Sequence, residues 1–261
     1  MDGDGRKDYL TARSNAQAGQ GELVWLHHPA GGLNTLPWAE TVVTKGPDVM
    51  FDVIPGSSDS IIIFASEFFN HKLTVYEVST KTGTLIRSRL IDDTLDQVYS
   101  VKYVNLSGKY QLLVNNHETT SSMAGVFLYD VPSDIFNGAY PKKTIANGFR
   151  NAFSLLIPNM CPGFPYAIKP HTSLPYHILI AGDGDYSAHL LRPDGQGGFK
   201  RELVNYLGGT VGSIATYDFD GDGYLEFFVP NYDNSYIEVY QFYDGPIVPG
   251  PSHLDNPVFL N

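Results

Sequence analysis

The sequence is poor in cysteine, in positive charge and in long apolar runs, and each shortage excludes a class of protein. Cys161 is the single cysteine, so no intrachain disulfide can form. The chain has 17 Lys and Arg against 28 Asp and Glu, and a net charge of −11 would repel a nucleic-acid backbone. The longest apolar run, Ile61 to Ala65, is far too short to cross a bilayer. An acidic chain of this kind is suited to binding cations.

Turn-forming and aromatic residues are plentiful. The 261 residues include 26 Gly, 17 Pro, 17 Tyr and 15 Phe, and 43% of the chain is hydrophobic against 17% charged. Such a composition supports a sizeable core and favours many short strands joined by tight turns. The length fits one large all-β domain or two small ones.

A pattern of β-rich run, polar turn and second β-rich run occurs five times, with a period of about 50 residues that is typical of a propeller blade. The five copies span residues 8–29, 60–78, 110–131, 176–193 and 224–242. Further strand-like runs precede the later copies, at 50–54, 98–104, 153–157 and 211–219, and one longer insertion covers 158–175.

The repeat predicts an all-β fold, a β-propeller of four-stranded antiparallel blades. We expect a single domain over 1–261 with about five blade units, or a large piece of a longer propeller. The predicted units are 1–47, 48–92, 93–147, 148–205 and 206–261. Unit one lacks its innermost strand, and only the irregular tail 249–261 could supply a fourth strand to unit five. A β-sandwich or a β-helix would also space its strands regularly.

The segment Asp218 to Glu226 has the composition of a calcium loop. Carboxylates stand at loop positions one, three, five and nine (Asp218, Asp220, Asp222 and Glu226), Gly223 stands at position six, and the Tyr224 carbonyl is a natural further ligand. Calcium takes six to eight oxygen ligands, and glycine allows the sharp turn that surrounds it. An EF-hand is excluded, because its twelfth position would be Val229 and the flanking runs resemble strands. The alternative is a metal-free acidic turn.

The N-terminus contains a truncated form of this loop. Asp2, Asp4, Gly5 and Asp8 match positions three, five, six and nine. We therefore expect a second, weaker Ca²⁺ site there. We also expect that the natural protein continues upstream with a signal peptide, and that it is extracellular.

These loops resemble the FG-GAP and VCBS-type repeats of calcium-binding β-propellers, the integrin-α N-terminal type. DFDGDGYLEFFV matches the D-x-D-G-D-G-x-x-[DE] signature and its following strand, and the opening DGDGRKDYLTA is similar. The resemblance implies a propeller with structural calcium between the first two strands of a blade. It also implies extracellular adhesion or recognition, and the family occurs as an appended domain in some lyases.

Polar residues recur in the turns between the second and third strands of the units. We expect these turns to form a ring opposite the calcium loops. The ring could bind a sugar, with Phe68, Tyr186 or Tyr232 as stacking surfaces, or a metal through His117, Glu118 and Asp183. The alternative is that short polar residues satisfy tight turns. The candidate ligand-binding residues are Glu67, His71, Asn116, His117, Glu118, Asp183, Asp185, Asn231 and Asp233.

Catalytic motifs are scarce. No G-x-S-x-G elbow surrounds a serine, and we expect Cys161 in an exposed insertion with no neighbouring base. The leading hypothesis is a secreted, non-enzymatic recognition module for a glycan or an extracellular protein, without nucleic-acid binding or membrane insertion. The alternatives are a metal-assisted carbohydrate lyase or dehydratase, and a purely structural domain of a longer protein.

Overall fold

The computed structural model describes residues 5–15, 17–48, 50–118, 124–152 and 160–242. Within these ranges every regular element is a β-strand, and the strands form five antiparallel sheets in chain order. No helix in the described part of the chain is long and apolar enough to cross a membrane.

The first two sheets follow the predicted hairpins closely. In the second sheet, which has four strands, the two middle strands are buried almost throughout, whereas the last strand is largely exposed. The first sheet consists of β1 (Tyr9–Arg13), β2 (Glu22–His27) and β3 (Ala39–Lys45). The second consists of β4 (Phe51–Pro55), β5 (Ser60–Glu67), β6 (Lys72–Ser79) and β7 (Leu85–Asp92).

The third and fourth sheets also have four strands in simple up-and-down order. The third contains β8 (Gln97–Leu106), β9 (Lys109–His117), β10 (Gly125–Asp130) and β11 (Lys142–Asn147). The fourth contains β12 (Pro165–Ile168), β13 (His177–Ala181), β14 (Ser187–Pro193) and β15 (Phe199–Tyr206). The fifth has three described strands, β16 (Ala215–Tyr217), β17 (Glu226–Asn231) and β18 (Tyr236–Gln241).

One strand of the fourth sheet lies where the sequence predicted an insertion. Residues 153–157, predicted as the first strand, lie outside the described residues. The strand that pairs with β13 is β12, inside the predicted insertion 158–175, with Pro165 opposite Ile180. The ladder continues upstream, because Gly163 N donates to Ala181 O at 2.8 Å. The expected exposed position of Cys161 was therefore wrong, since its side chain is fully buried beside this ladder.

The chain divides into two compact units. The first comprises residues 1–104, 110–116 and 129–142, and the second comprises 105–109, 117–128 and 143–261, so the third sheet contributes to both. In the first unit, Trp25 of β2 shares a core with Ile63 and Tyr76 of the second sheet. In the second unit, Leu179 and Leu190 share a core with Phe227 of the fifth sheet. Sheets adjacent in sequence thus pack through apolar faces within each unit.

Candidate functional site

The acidic loop lies in the connection between β16 and β17. Asp218, Asp220 and Asp222 each place one carboxylate oxygen within 4.8 Å of the others. Among the described residues, these three form the group of His, Cys, Asp or Glu side chains close enough to share one metal ion. The Asp218 carboxylate also shapes the loop, because Oδ1 accepts from Gly221 N at 2.8 Å and Oδ2 from Gly223 N at 3.1 Å. The connection joins two strands, which excludes the helix-flanked EF-hand geometry.

Two glycines allow the loop to turn this sharply. Gly221 and Gly223 have φ values of +77° and +89°, which residues with a Cβ adopt only with strain. A Cβ on Gly223 would also lie 3.3 Å from the ring of His171, which stacks on Tyr224 with centroids 4.5 Å apart. The position-six glycine is therefore required both by its dihedral angle and by the neighbouring imidazole.

Glu226, at loop position nine, is a buried acid in which one of the two carboxylate oxygens accepts a hydrogen bond. Its Oε2 accepts from Phe219 N at 2.5 Å, which places the carboxylate at the start of the loop. Its Oε1 is buried, and no hydrogen-bond donor in the described part of the chain reaches it. Glu226 does not belong to the group of three aspartates that meet within 4.8 Å. A buried carboxylate oxygen of this kind is costly unless a cation or a donor satisfies it.

The second predicted calcium site, at the N-terminus, falls largely outside the described residues. Asp2 and Asp4 lie outside the described residues. Asp8 accepts a hydrogen bond from His28 N at 2.9 Å through Oδ1, which links the start of the first sheet to the end of β2. Calcium binding at the N-terminus stays a prediction.

In the first unit, the candidate ligand-binding residues bond to their own surroundings. Glu67 accepts from Tyr76 Oη at 2.5 Å and from Asn70 Nδ2 at 2.8 Å, and both bonds lie within the second sheet and its turn. His71 Nδ1 lies 2.7 Å from Asp96 Oδ1. Asn116 donates to Leu95 O. This pattern favours the alternative that these side chains satisfy their turns.

Asp48, which sequence reasoning missed, anchors the same turn. Its fully buried carboxylate accepts from Phe68 N at 2.5 Å and from Phe69 N at 3.0 Å. Burial raises the pKa of Asp48 to about 6, and the nearby Glu67 adds to that increase. The only sequence signal is its place after Gly46-Pro47, which by itself indicates a turn and not an anchor.

In the second unit, two predicted residues approach each other. His117 Nε2, at the end of β9, lies 3.8 Å from Asp183 Oδ2, in the turn after β13. Burial lowers the pKa of His117 to about 4, although a hydrogen bond to the Pro162 carbonyl opposes the change. Burial, with a contribution from Asp185, raises the pKa of Asp183 to about 6. At neutral pH the pair is a neutral imidazole beside a buried carboxylate.

Asp185 has a different partner, His189, which the sequence did not single out. Asp185 Oδ2 lies 2.8 Å from His189 Nε2, four residues further along the chain. Glu118 is buried near the end of β9. Among the described residues, His117, Glu118 and Asp183 do not form a set of three ligand atoms within 4.8 Å of one another. The structure therefore brings together two of the three residues predicted to hold a metal in this region.

Asn231, the last residue of β17, and Asp233, in the turn that follows it, bind the connection after β15. Asn231 Nδ2 donates to Leu207 O at 2.8 Å. Asp233 Oδ2 accepts from Thr210 N at 2.8 Å and from Thr210 Oγ1 at 2.9 Å. Both side chains fix the position of this turn relative to the connection after β15.

One of the comparisons with known proteins supports the fold. No protein-family model matches the sequence, and no curated protein matches it significantly. A structure of hydrazine synthase from Kuenenia stuttgartiensis is similar, with a TM-score of 0.50 and 13% identity over 93% of this chain and 70% of that one. A chain of a nidogen/laminin complex shows a TM-score of 0.33 and 9% identity over 90% and 89% of the two chains. The predicted all-β, propeller-like fold of three- and four-stranded antiparallel sheets is confirmed.

Proposed function

We propose that this chain is a secreted, calcium-stabilised β-propeller module of the FG-GAP and VCBS type that recognises a glycan or an extracellular protein. The observation that carries the proposal is the Glu226 carboxylate, which has one oxygen bonded to Phe219 N and the other buried. It closes a loop in which three aspartates already converge. The buried oxygen gives this loop a feature that a solvated acidic turn lacks.

The charge of the loop supports a cation as the missing partner. Asp218, Asp220, Asp222 and Glu226 place four carboxylates within nine residues, and their mutual repulsion opposes folding unless a cation offsets it. Hard carboxylate and carbonyl oxygens are the donors that Ca²⁺ prefers. Bound calcium would hold β16 and β17 at a fixed spacing and would leave the exposed turns of the sheets for recognition.

Calcium binding can be tested with a matched pair of aspartate variants. Asp220 Oδ1 accepts from Asp222 N, so Asp220→Asn retains that bond and removes one ligand charge. Asp194→Asn is the control, because Asp194 Oδ1 accepts from Gln196 N and Gly198 N in another turn. At a hundredfold excess over Kd, calcium should stabilise the protein by about 2.7 kcal/mol. We expect calorimetry and thermal unfolding to show that Asp220→Asn loses most of this gain and Asp194→Asn keeps it.

Two results would contradict the calcium assignment. One is a melting temperature that EGTA leaves unchanged in the parent protein. The other is an Asp220→Asn variant that binds calcium as tightly as Asp194→Asn does.

A carbohydrate lyase or dehydratase is the second candidate function, and the His117–Asp183 pair favours it. A buried carboxylate with a pKa of about 6 is suited to accept a proton next to a sugar carbonyl at neutral pH. The neutral imidazole at 3.8 Å could then exchange that proton. If the lyase is metal-assisted, the metal would need further ligands in addition to His117 and Asp183.

Turnover would separate the two candidates. A lyase should form an unsaturated product from keto-sugars or uronate-containing polysaccharides, which ultraviolet absorbance detects. Activity should then fall at least about a hundredfold in Asp183→Asn and in His117→Gln, since each loses a proton-transfer group. Absence of product from the parent protein, or as much product from each variant as from the parent, would exclude the enzymatic alternative at this pair.

A further inference from the structure

Three connections of the second unit meet beside one another and form a surface that we call the tyrosine surface, comprising Tyr186, Tyr206, Tyr232 and Asp233. Backbone hydrogen bonds join the connections. Leu207 N donates to Tyr186 O at 2.8 Å, which ties the β15–β16 connection to the β13–β14 turn. Tyr232 N donates to Thr210 O at 2.9 Å, which ties the same connection to the β17–β18 turn.

Side chains brace the surface from beneath. Asn231 Oδ1 accepts from Asn234 N at 3.1 Å, in addition to the bond from Asn231 to Leu207 O. A Cβ on Gly209 would lie 2.3 Å from Asn231 Oδ1, so only glycine allows the connection to approach this closely. Backbone strain accompanies the bracing, since Tyr186 and Ser235 have φ values of +58° and +56°. A residue other than glycine keeps such a left-handed backbone conformation only where the surrounding structure holds it, and such residues are often found at binding sites.

The aromatic rings of this rigid framework face solvent. Tyr232 is 81% exposed and Tyr206 is 56% exposed, although Tyr232 N is bonded to Thr210 O and Tyr206 is paired with Ser187 in the fourth sheet. Tyr186 is largely buried and connects the group, because its ring centroid lies 6.5 Å from that of Tyr206. Burial, the Asp233 carboxylate and Tyr206 all raise the pKa of the Tyr186 hydroxyl.

We infer that the tyrosine surface binds a neutral glycan, an inference that rests on the proposed recognition function and names its ligand class. Exposed tyrosine rings on a fixed backbone offer flat apolar faces at low entropic cost, and such faces suit the C–H faces of sugar rings. The carboxylate of Asp233, which Thr210 N and Thr210 Oγ1 hold in place, is an oriented group that can accept hydrogen bonds from sugar hydroxyls. The net charge of −11 opposes binding of uronates or sulfated sugars and favours uncharged ones.

Affinity electrophoresis through gels that contain one polysaccharide each would test the inference. The probes are mannan, xylan and mixed-linkage β-glucan as neutral polymers, and polygalacturonate as the acidic one. We expect at least one neutral polymer to retard the parent protein. Tyr232→Ala and Tyr206→Ala should each weaken that binding by about tenfold, which is the loss of one stacked ring. Tyr110→Ala is the control, because Tyr110 is 51% exposed and lies in β9, which is not one of the three connections that form the tyrosine surface.

Several outcomes would overturn the inference. One is that none of the neutral polymers retards the protein, and another is that polygalacturonate retards it more than they do. A third is that Tyr110→Ala weakens binding as much as Tyr232→Ala and Tyr206→Ala do. Melting temperatures of the same samples, with calcium and with EGTA, keep this result separate from the proposed calcium loop. Failure to bind polysaccharide together with calcium-dependent melting would overturn the glycan site alone. Glycan binding that follows the tyrosines in a protein indifferent to EGTA would uphold the site and contradict the calcium loop.

Discussion

At the residue scale, buried acids in this protein fall into two groups that differ in their partners. Asp92 belongs to the first group, because burial raises its pKa but hydrogen bonds from Lys142, Thr94 and Tyr129 outweigh burial and lower the value to about 2. Asp183 belongs to the second, since burial and the neighbouring Asp185 raise its pKa to about 6. The charged form of the first kind stabilises the fold at neutral pH, whereas the charged form of the second kind costs stability there.

The difference predicts the pH dependence of an Asp183→Asn variant. The pKa of Asp183 is higher in the folded state than its ordinary value of 3.8, so the folded protein binds this proton more tightly and the contribution of Asp183 to stability falls as pH rises from about 4 to about 6. Asparagine does not titrate and avoids this loss. We expect the stability of Asp183→Asn relative to the parent to increase between pH 4 and pH 7 by an amount on the order of 2 kcal/mol.

Urea unfolding at pH 4.5 and pH 7.5 would measure this change. His117 titrates over part of the same range with the opposite slope, because its folded pKa of about 4 lies below the ordinary 6.5. That contribution is removed by making the comparison in a His117→Gln background, because His117 lies too close to Asp183 to be unaffected by the variant. A stability difference that stays constant between the two pH values would contradict the raised pKa of Asp183.

At the element scale, the turn between β16 and β17 is held by hydrogen bonds to its own carboxylates. Phe219 N, Gly221 N and Gly223 N donate to Glu226 and Asp218, so the loop backbone is held by acids that repel one another. The Asp48-anchored turn is different, because a single buried carboxylate accepts two backbone N–H groups. Only the first of these elements should depend on a cation.

Hydrogen exchange would show this difference directly. Removal of calcium with EGTA should accelerate exchange of the amides of Phe219, Gly221 and Gly223 by more than about tenfold, because the unscreened carboxylates open the loop. The amides of Phe68 and Phe69 provide the internal control and should keep their protection. Acceleration of both sets to the same degree would mean that the cation does not act locally at the loop.

At the scale of the whole molecule, the division into five sheets follows from the chain order, since each described sheet is built from consecutive strands. The sequence predicted this because each unit repeats the same alternation of buried runs and polar turns. The three described strands of the first sheet and of the last agree with the sequence analysis of those two units. It misplaced the first strand of the fourth sheet, because a short strand such as Pro165–Ile168 carries too few residues for a periodic signal.

The sequence by itself determined the features that depend on neighbouring residues: the hairpins, the turns and the acidic loop from Asp218 to Glu226. Spacing along the chain is enough to specify these, since alternation and loop geometry are local properties. Only the tertiary structure decided which distant side chains meet, as in the 3.8 Å approach of His117 to Asp183 and the bracing of the tyrosine surface by Asn231. Those contacts depend on how sheets and connections pack, and packing is set by the whole of each core, not by any single segment.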